Sequence, residues 1–340
     1  MDTRKVQLIG GTTLSVSLPK TWVDRVGLKP GDRIGFDPRP DGRLVLRLES
    51  ASGAAPAAMR GVTLDATFLT PEQLTRRIDA LYLSGADRFE VTSRHPFTAE
   101  LSAAIDRFPR KIAGFEIIEQ SPQRIILHDM VNPQAFDLYH SFDRVYGVAS
   151  SIHREILSAM TSRDAARLAR IQAKAEDVNR LRWVAAKQER RAIESELPLS
   201  RLDAFACASA IDLAQRLGHN GAQLGDAVGL LLRSEVEERV LSGLVEVGTR
   251  ALTICDEAAR AFYKADLVAA EAALDRVGPF DERMAELADF ATTITLPPKR
   301  CGACLTAGRL LEAMSRTRLV GARFAELAIQ RALATTPEGL

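Results

Sequence analysis

Residues 4–36, RKVQLIGGTTLSVSLPKTWVDRVGLKPGDRIGF, alternate apolar and polar side chains in short runs. This period of two predicts strands, and Pro19 and Gly27 bound a short helix between them. The KPGD tetrapeptide at residues 29–32 has Pro and Gly where a β-turn needs them. We therefore predict a small β unit over residues 1–50, with strands at 6–8 and 14–18, a helix at 20–26 and a hairpin of 33–36 with 44–48.

This unit is too small to bury a core by itself, because a chain of about 50 residues leaves much of its apolar surface exposed. We therefore expect it to pair with a second copy, which makes the protein a homodimer. Residues 51–61 (ASGAAPAAMRG) are small and flexible in composition. They are predicted to form a linker.

The pattern changes after the linker. Residues 62–130 alternate between strand-like and helix-like periods, and the order β-α-β-α-β-β predicts a small α/β domain. Its strands are predicted at 62–68, 88–92, 115–119 and 124–128, and its helices at 71–84 and 96–108.

Residues 132–335 contain no convincing strand and are dominated by Ala and Leu, with charges at helical spacing. The order of the helical segments repeats with an offset that places Arg216 and Arg316 in similar positions. We therefore predict two tandem three-helix bundles, at 132–232 and 235–335. The six helices are predicted at 132–160, 163–195, 200–232, 235–263, 265–294 and 299–335.

The composition gives no overall preference for a charged partner, because the 340 residues include 45 basic and 44 acidic ones. No apolar run approaches the length that crosses a bilayer, and the first residues lack the apolar stretch of a signal peptide. We expect a cytoplasmic protein.

No phosphate-binding loop, nucleophile elbow or paired catalytic carboxylates occur in the sequence, so we do not expect an enzyme.

The first 50 residues resemble the SpoVT-AbrB family of swapped-hairpin domains. The resemblance rests on the basic start RKVQ, the turn GGTT, the strand LSVSLPK, the helix TWVDRVGL and the segment KPGDRIGF. It implies a dimer of interleaved hairpins that presents basic residues to DNA.

The helical region resembles PhoU, a family of phosphate-uptake regulators built from two three-helix bundles. The resemblance rests on EDVNRLRWVAAKQERRA at 176–192, QRLGHNGAQLGDAV at 215–228 and GARFAELAIQRAL at 321–333. The last segment is similar to the end of the sixth helix in archaeal-type members. An N-terminal SpoVT-AbrB domain followed by PhoU repeats is itself an archaeal arrangement.

The β unit contains nine basic and six acidic residues, a net charge of +3 per chain. Such a surface suits DNA phosphates, and the Gly pair before the two threonines lets the backbone approach closely. A solvated basic surface that serves dimerisation only is the alternative. The candidate DNA-binding residues are Arg4, Lys5, Thr12, Thr13, Lys20 and Arg25.

The PhoU resemblance also implies a divalent metal held by carboxylates on the helices. Glu271 and Asp275 share one helix face through their spacing of four, and Glu176 and Asp177 stand in the matching part of the first bundle. However, Gln215, His219 and Leu319 occupy positions where the family has acids. A weakly or asymmetrically bound metal is therefore expected, and a solvated acidic face is the alternative.

Together these observations predict a DNA-binding regulator linked to phosphate uptake, in which the helical repeats sense or relay phosphate status. The α/β domain is expected to link the two parts or to bind an effector. The alternative is an adaptor that does not bind DNA and contacts the ATPase of a phosphate ABC transporter or a signalling kinase.

Overall fold

The computed structural model describes residues 3–10, 12–38, 44–49, 61–112, 114–130, 138–193, 201–234, 236–293 and 301–335. The chain divides into two compact units, Met1–Met59 and Arg60–Leu340. The predicted linker at 51–61 overlaps the second unit by its last two residues, Arg60 and Gly61, and a strand begins at Gly61. Residues 51–60 lie outside the described part of the chain.

The first unit contains two hairpins and a short helix. Gly27 ends the helix in a left-handed conformation with φ 67°, and Gly31 (φ 99°) supplies the positive angle of the predicted turn. The backbone N–H of Asp32 closes this turn by donating to the Lys29 carbonyl at 3.1 Å. The elements are β1 (Gln7–Ile9), β2 (Thr13–Ser15), α1 (Lys20–Val26), β3 (Arg33–Pro38) and β4 (Leu44–Glu49).

The second unit begins with a four-stranded sheet covered by two helices. Its strand order is β5-β6-β8-β7; β5 is parallel to β6, and the other neighbours are antiparallel. This confirms the predicted order of elements, in which a helix connects the parallel strands. The elements are β5 (Gly61–Asp65), α2 (Pro71–Leu83), β6 (Arg88–Thr92), α3 (Ala99–Lys111), β7 (Phe115–Ser121) and β8 (Arg124–Asp129).

Local capping determines where the two helices of this layer begin. Thr70 and Gln73 form a reciprocal capping box before Pro71, which is well placed at the first helical position. The prediction that the second helix starts at residue 96 is wrong, because Thr98 caps it by accepting from the backbone N–H of Leu101 at 3.3 Å. That helix continues through Pro109 to Lys111.

The rest of the second unit is helical and forms two bundles. One bundle contains α4, α5 and α6, and the other contains α7, α8, α9 and α10; α4 packs on α7 and α6 packs on α10. Their buried side chains form one continuous core rich in Ala, Leu and Ile. The helices are α4 (Leu138–Ser162), α5 (Ile171–Ile193), α6 (Arg201–Leu232), α7 (Glu238–Lys264), α8 (Leu267–Asp275), α9 (Val277–Thr293) and α10 (Cys301–Thr335).

Two of the six predicted helices are interrupted. A 3₁₀ helix over Ala165–Arg170 precedes α5, where Asp164 accepts from the backbone N–H of Ala166 at 3.0 Å. The predicted helix at 265–294 consists of α8 and α9, which are separated at Arg276. Pro279 explains this second break, because its ring clashes with the preceding turn and it has no N–H to donate. No helix in the described ranges is both long and apolar enough to cross a membrane.

Candidate functional site

The β1–β2 hairpin has one apolar face that no other described residue of the chain covers. Leu8 pairs directly with Leu14 across the two strands, so both side chains lie on the same face. Leu8 is 64% exposed and Leu14 is 71% exposed, and Val6 and Val16 continue the same alternation with more than half of their surface exposed. A face of this kind is stable only when a second surface covers it.

The β3–β4 hairpin repeats this arrangement. Phe36 pairs with Leu46, and Leu44 pairs with Pro38. Phe36 is 66% exposed and Leu44 is 57% exposed. Both hairpins of the first unit thus present large apolar side chains to solvent, as expected for a unit whose core is completed by another chain.

The predicted DNA-binding residues fall into two groups on the β1–β2 hairpin. Thr12 and Thr13 lie at the closed end, next to Gly10, whose φ of 62° makes the tight turn possible. Arg4 and Lys5 lie at the open end, before β1 begins. The structure therefore separates the threonines from the two N-terminal basic residues along the length of the hairpin.

Lys20 and Arg25 lie on the short helix that follows this hairpin. Lys20 is its first residue and is exposed. The Arg25 side chain lies outside the described residues. Arg4, Lys5, Thr12 and Thr13 are exposed as well, so their side chains can reach a ligand.

The predicted metal ligands lie on two separate helices. Glu176 and Asp177 are exposed on α5, and Glu271 and Asp275 are exposed on α8. Asp177 forms a loose ion pair with Arg180 at 3.9 Å. Among the described residues no group of three or more His, Cys, Asp and Glu side chains could hold a metal ion. A metal at these carboxylates stays a prediction.

Gln215 and His219 form hydrogen bonds with neutral side chains. The Gln215 amide donates to Asn179 at 3.1 Å, and the His219 ring lies 3.1 Å from the Gln223 amide. Leu319 is 52% exposed on α10. Neutral side chains at these positions bind a hard divalent cation less well than carboxylates would.

The two bundles repeat a buried hydrogen bond. In the first, the His153 ring is 3.0 Å from the Leu217 carbonyl; in the second, the Cys255 thiol donates to the Thr317 carbonyl at 3.0 Å. Burial lowers the pKa of His153 and raises the pKa of Cys255. The first and last helices of both bundles are therefore joined at similar points, which supports the internal repeat inferred from the sequence.

A buried lysine joins the α/β layer to the first bundle. Lys187 on α5 is 2% exposed, and its ammonium is 2.7 Å from Asp87 and 2.5 Å from Asp129. It also donates to the Ala86 carbonyl at 3.1 Å. Arg191, one turn further along α5, is 2.9 Å from Asp87. This contact cannot be predicted from the sequence of α5, because a lysine on an amphipathic helix is usually solvated.

Aromatic side chains lie around Lys187 and form the rest of the contact between the α/β layer and the first bundle. Trp183 on α5 packs against Tyr82, with ring centroids 6.0 Å apart, and Lys111 lies 4.1 Å from the centre of the Trp183 ring. Burial and the nearby Asp129 carboxylate raise the pKa of Tyr82, which stays protonated. The α/β layer and the first bundle thus share an interface with both apolar and ionic contacts.

A second ionic cluster links the two bundles. The Tyr146 hydroxyl on α4 donates to Asp256 on α7 at 2.6 Å, and Arg154 contacts both oxygens of the same carboxylate at 2.8 and 2.9 Å. Arg154 and Asp256 directly follow His153 and Cys255, the two equivalent residues of the repeat. The repeat itself is thus a sequence signal that places Arg154 opposite Asp256.

Comparison with known proteins agrees with this division of the chain. The family model described as "Antidote-toxin recognition MazE, bacterial antitoxin" matches residues 7–52. This supports an AbrB/MazE-type domain at the N-terminus. No curated protein matches the chain in sequence.

Two solved structures resemble a large part of the chain. The crystal structure of PhoU from Pseudomonas aeruginosa has a TM-score of 0.54 at 14% identity and covers 58% of this chain and 96% of its own. The phosphate transport system regulatory protein PhoU from Streptococcus pneumoniae has a TM-score of 0.51 at 17% identity and covers 59% of this chain and 96% of its own. The fold of the helical region is therefore that of PhoU.

Proposed function

We propose that this protein is a non-enzymatic, DNA-binding transcriptional regulator linked to phosphate uptake. In this proposal the N-terminal units of two chains form a DNA-binding dimer, and the helical repeats sense or relay phosphate status. The observation that carries the proposal is the first unit itself, which combines a family match with uncovered apolar hairpin faces and exposed basic residues.

Dimerisation is the first step of the proposal. Leu8, Leu14 and Phe36 each expose more than 60% of their surface in a single chain. Burying side chains of this size contributes about 1.5–3 kcal/mol each. A second copy offers the same apolar strips, so two interleaved hairpin pairs would cover each other and remove these faces from water.

DNA contact is the second step. A net charge of +3 per unit becomes +6 in a dimer. Such a charge attracts phosphates, which provide most of the sequence-independent affinity for DNA. Arg4, Lys5 and Lys20 would contact phosphates as cations, and Thr12 and Thr13 would donate hydroxyl hydrogen bonds. Arg25, on the same short helix, completes the proposed set.

The link to phosphate uptake rests on the fold of the helical region. One structural neighbour is a phosphate transport system regulatory protein. We extend that role to this chain and assign sensing to the two bundles, with residues 132–232 and 235–335 as their bounds. The α/β domain at 62–130 would transmit a change through the Lys187 contact, because this contact joins it to α5.

A second candidate function is an adaptor that does not bind DNA. It is favoured by a groove between α6 and α10, where Phe205 is 66% exposed and Leu319 is 52% exposed. Exposed apolar side chains of this size are typical of surfaces that bind other proteins. In that case the partner would be a phosphate transporter ATPase or a signalling kinase, and the first unit would serve dimerisation only.

Fluorescence anisotropy with a labelled duplex of arbitrary sequence separates these functions. The full chain should bind the duplex, and replacing Arg4, Lys5 and Lys20 by Ala should weaken binding at least about tenfold. A matched control replaces Arg167, Arg216 and Arg250 by Ala. These residues are exposed on the helical region, so the control removes the same charge.

The control should bind DNA as the unmodified chain does. If the unmodified chain does not bind DNA, or if both triple variants lose affinity equally, the adaptor function is the better explanation.

A further inference from the structure

A cavity of about 660 Å³ lies where α4 of the first bundle meets α7 of the second. Small-molecule sites in proteins usually measure about 300–1,000 Å³, so this cavity has the size of a ligand site. Phe142 and Tyr146 form part of its wall on the α4 side, and their rings stack with centroids 5.8 Å apart. A Cβ at Gly147 would meet no other atom within 4 Å, so the space beside the two rings is open.

The cavity has a fixed polar frame. Asp256 accepts from the Tyr146 hydroxyl and, with both of its oxygens, from the Nη2 of Arg154, whose Nη1 donates to the Ser150 hydroxyl at 3.0 Å. Burial raises the pKa of Tyr146 well above its usual value, so its hydroxyl remains a donor. The negative charge of Asp256 is therefore already balanced by Arg154, and the frame is held in place before any ligand arrives.

Two further cations line the same cavity without a carboxylate partner among the described residues. Arg260 donates from its Nε to the Asp256 backbone carbonyl at 3.1 Å and forms no ion pair within the described part of the chain, and Lys264 lies one helical turn further along α7. Both residues are exposed. A spacing of four places them on one face of α7, so both can reach the same anion.

The cavity also offers a ring surface and one acceptor. Tyr263, which lies on α7 directly before Lys264 and also lines the cavity, is 47% exposed. Asp143 on α4 is exposed and forms no ion pair within the described part of the chain. A ligand with an aromatic ring and hydroxyl or amino donors would satisfy both groups.

We propose that this cavity binds a small organic phosphate of the nucleotide class. Its phosphate groups would lie between Arg260 and Lys264, its planar ring would pack against Tyr263, and Asp143 would accept a hydrogen bond from a sugar hydroxyl or an exocyclic amine. Free phosphate is a less suitable ligand, because it is only a few times larger than a water molecule of about 30 Å³ and would leave most of the cavity unfilled.

This inference goes beyond the proposed function and holds whether or not the N-terminal unit binds DNA. The cavity is formed by one helix from each bundle. A bound nucleotide would therefore contact both bundles at once and stabilise the arrangement in which α4 and α7 are correctly placed.

Isothermal titration calorimetry of the full chain tests the inference with three probes: ADP, adenosine and inorganic phosphate. We expect ADP to bind most tightly, because it alone offers both the charge and the ring. Tighter binding of inorganic phosphate than of ADP would show a simple anion site and overturn the proposal. The absence of ADP binding would overturn it as well.

Variants on α7 and α4 assign the binding to this cavity. Lys264→Ala and Arg260→Ala should each weaken ADP binding about tenfold, which is the usual effect of losing one charge-assisted hydrogen bond. Arg250→Ala is the matched control, because Arg250 is exposed on the same helix but is paired with Glu246 outside the cavity. The control should bind ADP as the unmodified chain does. Equal losses in all three variants would mean that ADP binds through general charge, and the site would be rejected.

Asp143→Asn distinguishes the two parts of the ligand. Removal of this carboxylate should favour inorganic phosphate, because a repulsive charge is lost, and weaken the hydrogen bond to the nucleoside part of ADP. The ratio of the ADP affinity to the phosphate affinity should therefore fall. An unchanged or increased ratio would contradict the assignment of Asp143 to the nucleoside.

Discussion

Replacing Lys187 by Met should destabilise the contact between the α/β layer and the first bundle by about 3 kcal/mol. Met has a volume close to that of Lys, so the change removes the charge without opening a large cavity. The ammonium is 2% exposed and lies 2.7 Å from Asp87 and 2.5 Å from Asp129. Loss of one partner in such a buried group typically costs about 3–5 kcal/mol.

The lower end of this range applies because part of the charge balance remains. Arg191 still lies 2.9 Å from Asp87 after the substitution. Asp129, whose side chain is 7% exposed, loses the ammonium that lies 2.5 Å from it. Adding Asp129→Asn should recover about 2 kcal/mol, because the second substitution removes the negative charge that lost its ammonium.

Trp183 provides a local probe for this measurement. The chain has two tryptophans, so Trp22→Phe leaves a single reporter, and Trp183 packs against Tyr82 in the interface itself. Urea unfolding at pH 7 followed by Trp183 fluorescence gives the change in free energy of unfolding. Far-UV circular dichroism of the same samples shows whether the bundles unfold in the same transition.

Lys174→Met is the matched control. Lys174 lies on the same helix and pairs with Glu155 at 2.5 Å, but the two side chains are 28% and 37% exposed. A more solvated pair of this kind contributes about 1 kcal/mol or less. If Lys187→Met costs no more than Lys174→Met, the buried ion group does not hold the two parts together and the reasoning fails.

Three further predictions concern the bundles. Gly321→Ala should destabilise the chain by about 1–3 kcal/mol in urea unfolding, because the new Cβ would lie 2.8 Å from the Cys255 backbone nitrogen. Gly308→Ala on the same helix is the control: its Cβ has open space, so the substitution should stabilise the chain by about 0.5–1 kcal/mol. The opposite order of the two stabilities would contradict the close packing of α7 on α10. Burial lowers the pKa of His153, so the neutral ring's contribution to the free energy of unfolding is complete above about pH 6.5 and falls as the pH decreases. When the pH is lowered from 7 to 5.5, the His153→Gln variant should therefore lose less stability than the unmodified chain does. The same pH dependence of stability in both proteins would refute this. Elemental analysis should find less than one metal ion per chain, and a near-stoichiometric metal that disappears in Asp275→Ala would contradict the expectation.

The sequence was sufficient for features that depend on local backbone chemistry. Gly27 and Gly31 have the positive φ angles that their positions predicted, and the helix between Pro19 and Gly27 has the predicted bounds. The repeat of helices in the bundles could also be inferred, because an amphipathic period and small residues are visible without a structure. The archaeal-type layout suggested by the resemblance stays a prediction.

Features that depend on contacts between distant segments could not be read from the sequence. Lys187 is buried because Asp87 and Asp129 approach it from another domain, and nothing in its helix indicates these partners. The break between α8 and α9 is a local feature: Pro279 lies in the middle of the predicted helix at 265–294, where a proline interrupts the helical hydrogen bonds, and the prediction of one helix did not take it into account. The cavity at Arg260 arises only when α4 and α7 are packed together.

The salt dependence of DNA binding tests the central claim most directly. The logarithm of the affinity for a duplex should fall linearly with the logarithm of the salt concentration, with a slope of about −0.9 for each phosphate contacted. Replacing Arg4, Lys5 and Lys20 removes six cations from a dimer, so the slope should become shallower by about 5. An unmodified chain without measurable affinity, or a triple variant with the same affinity and slope, would contradict the claim that the N-terminal unit binds DNA through these residues.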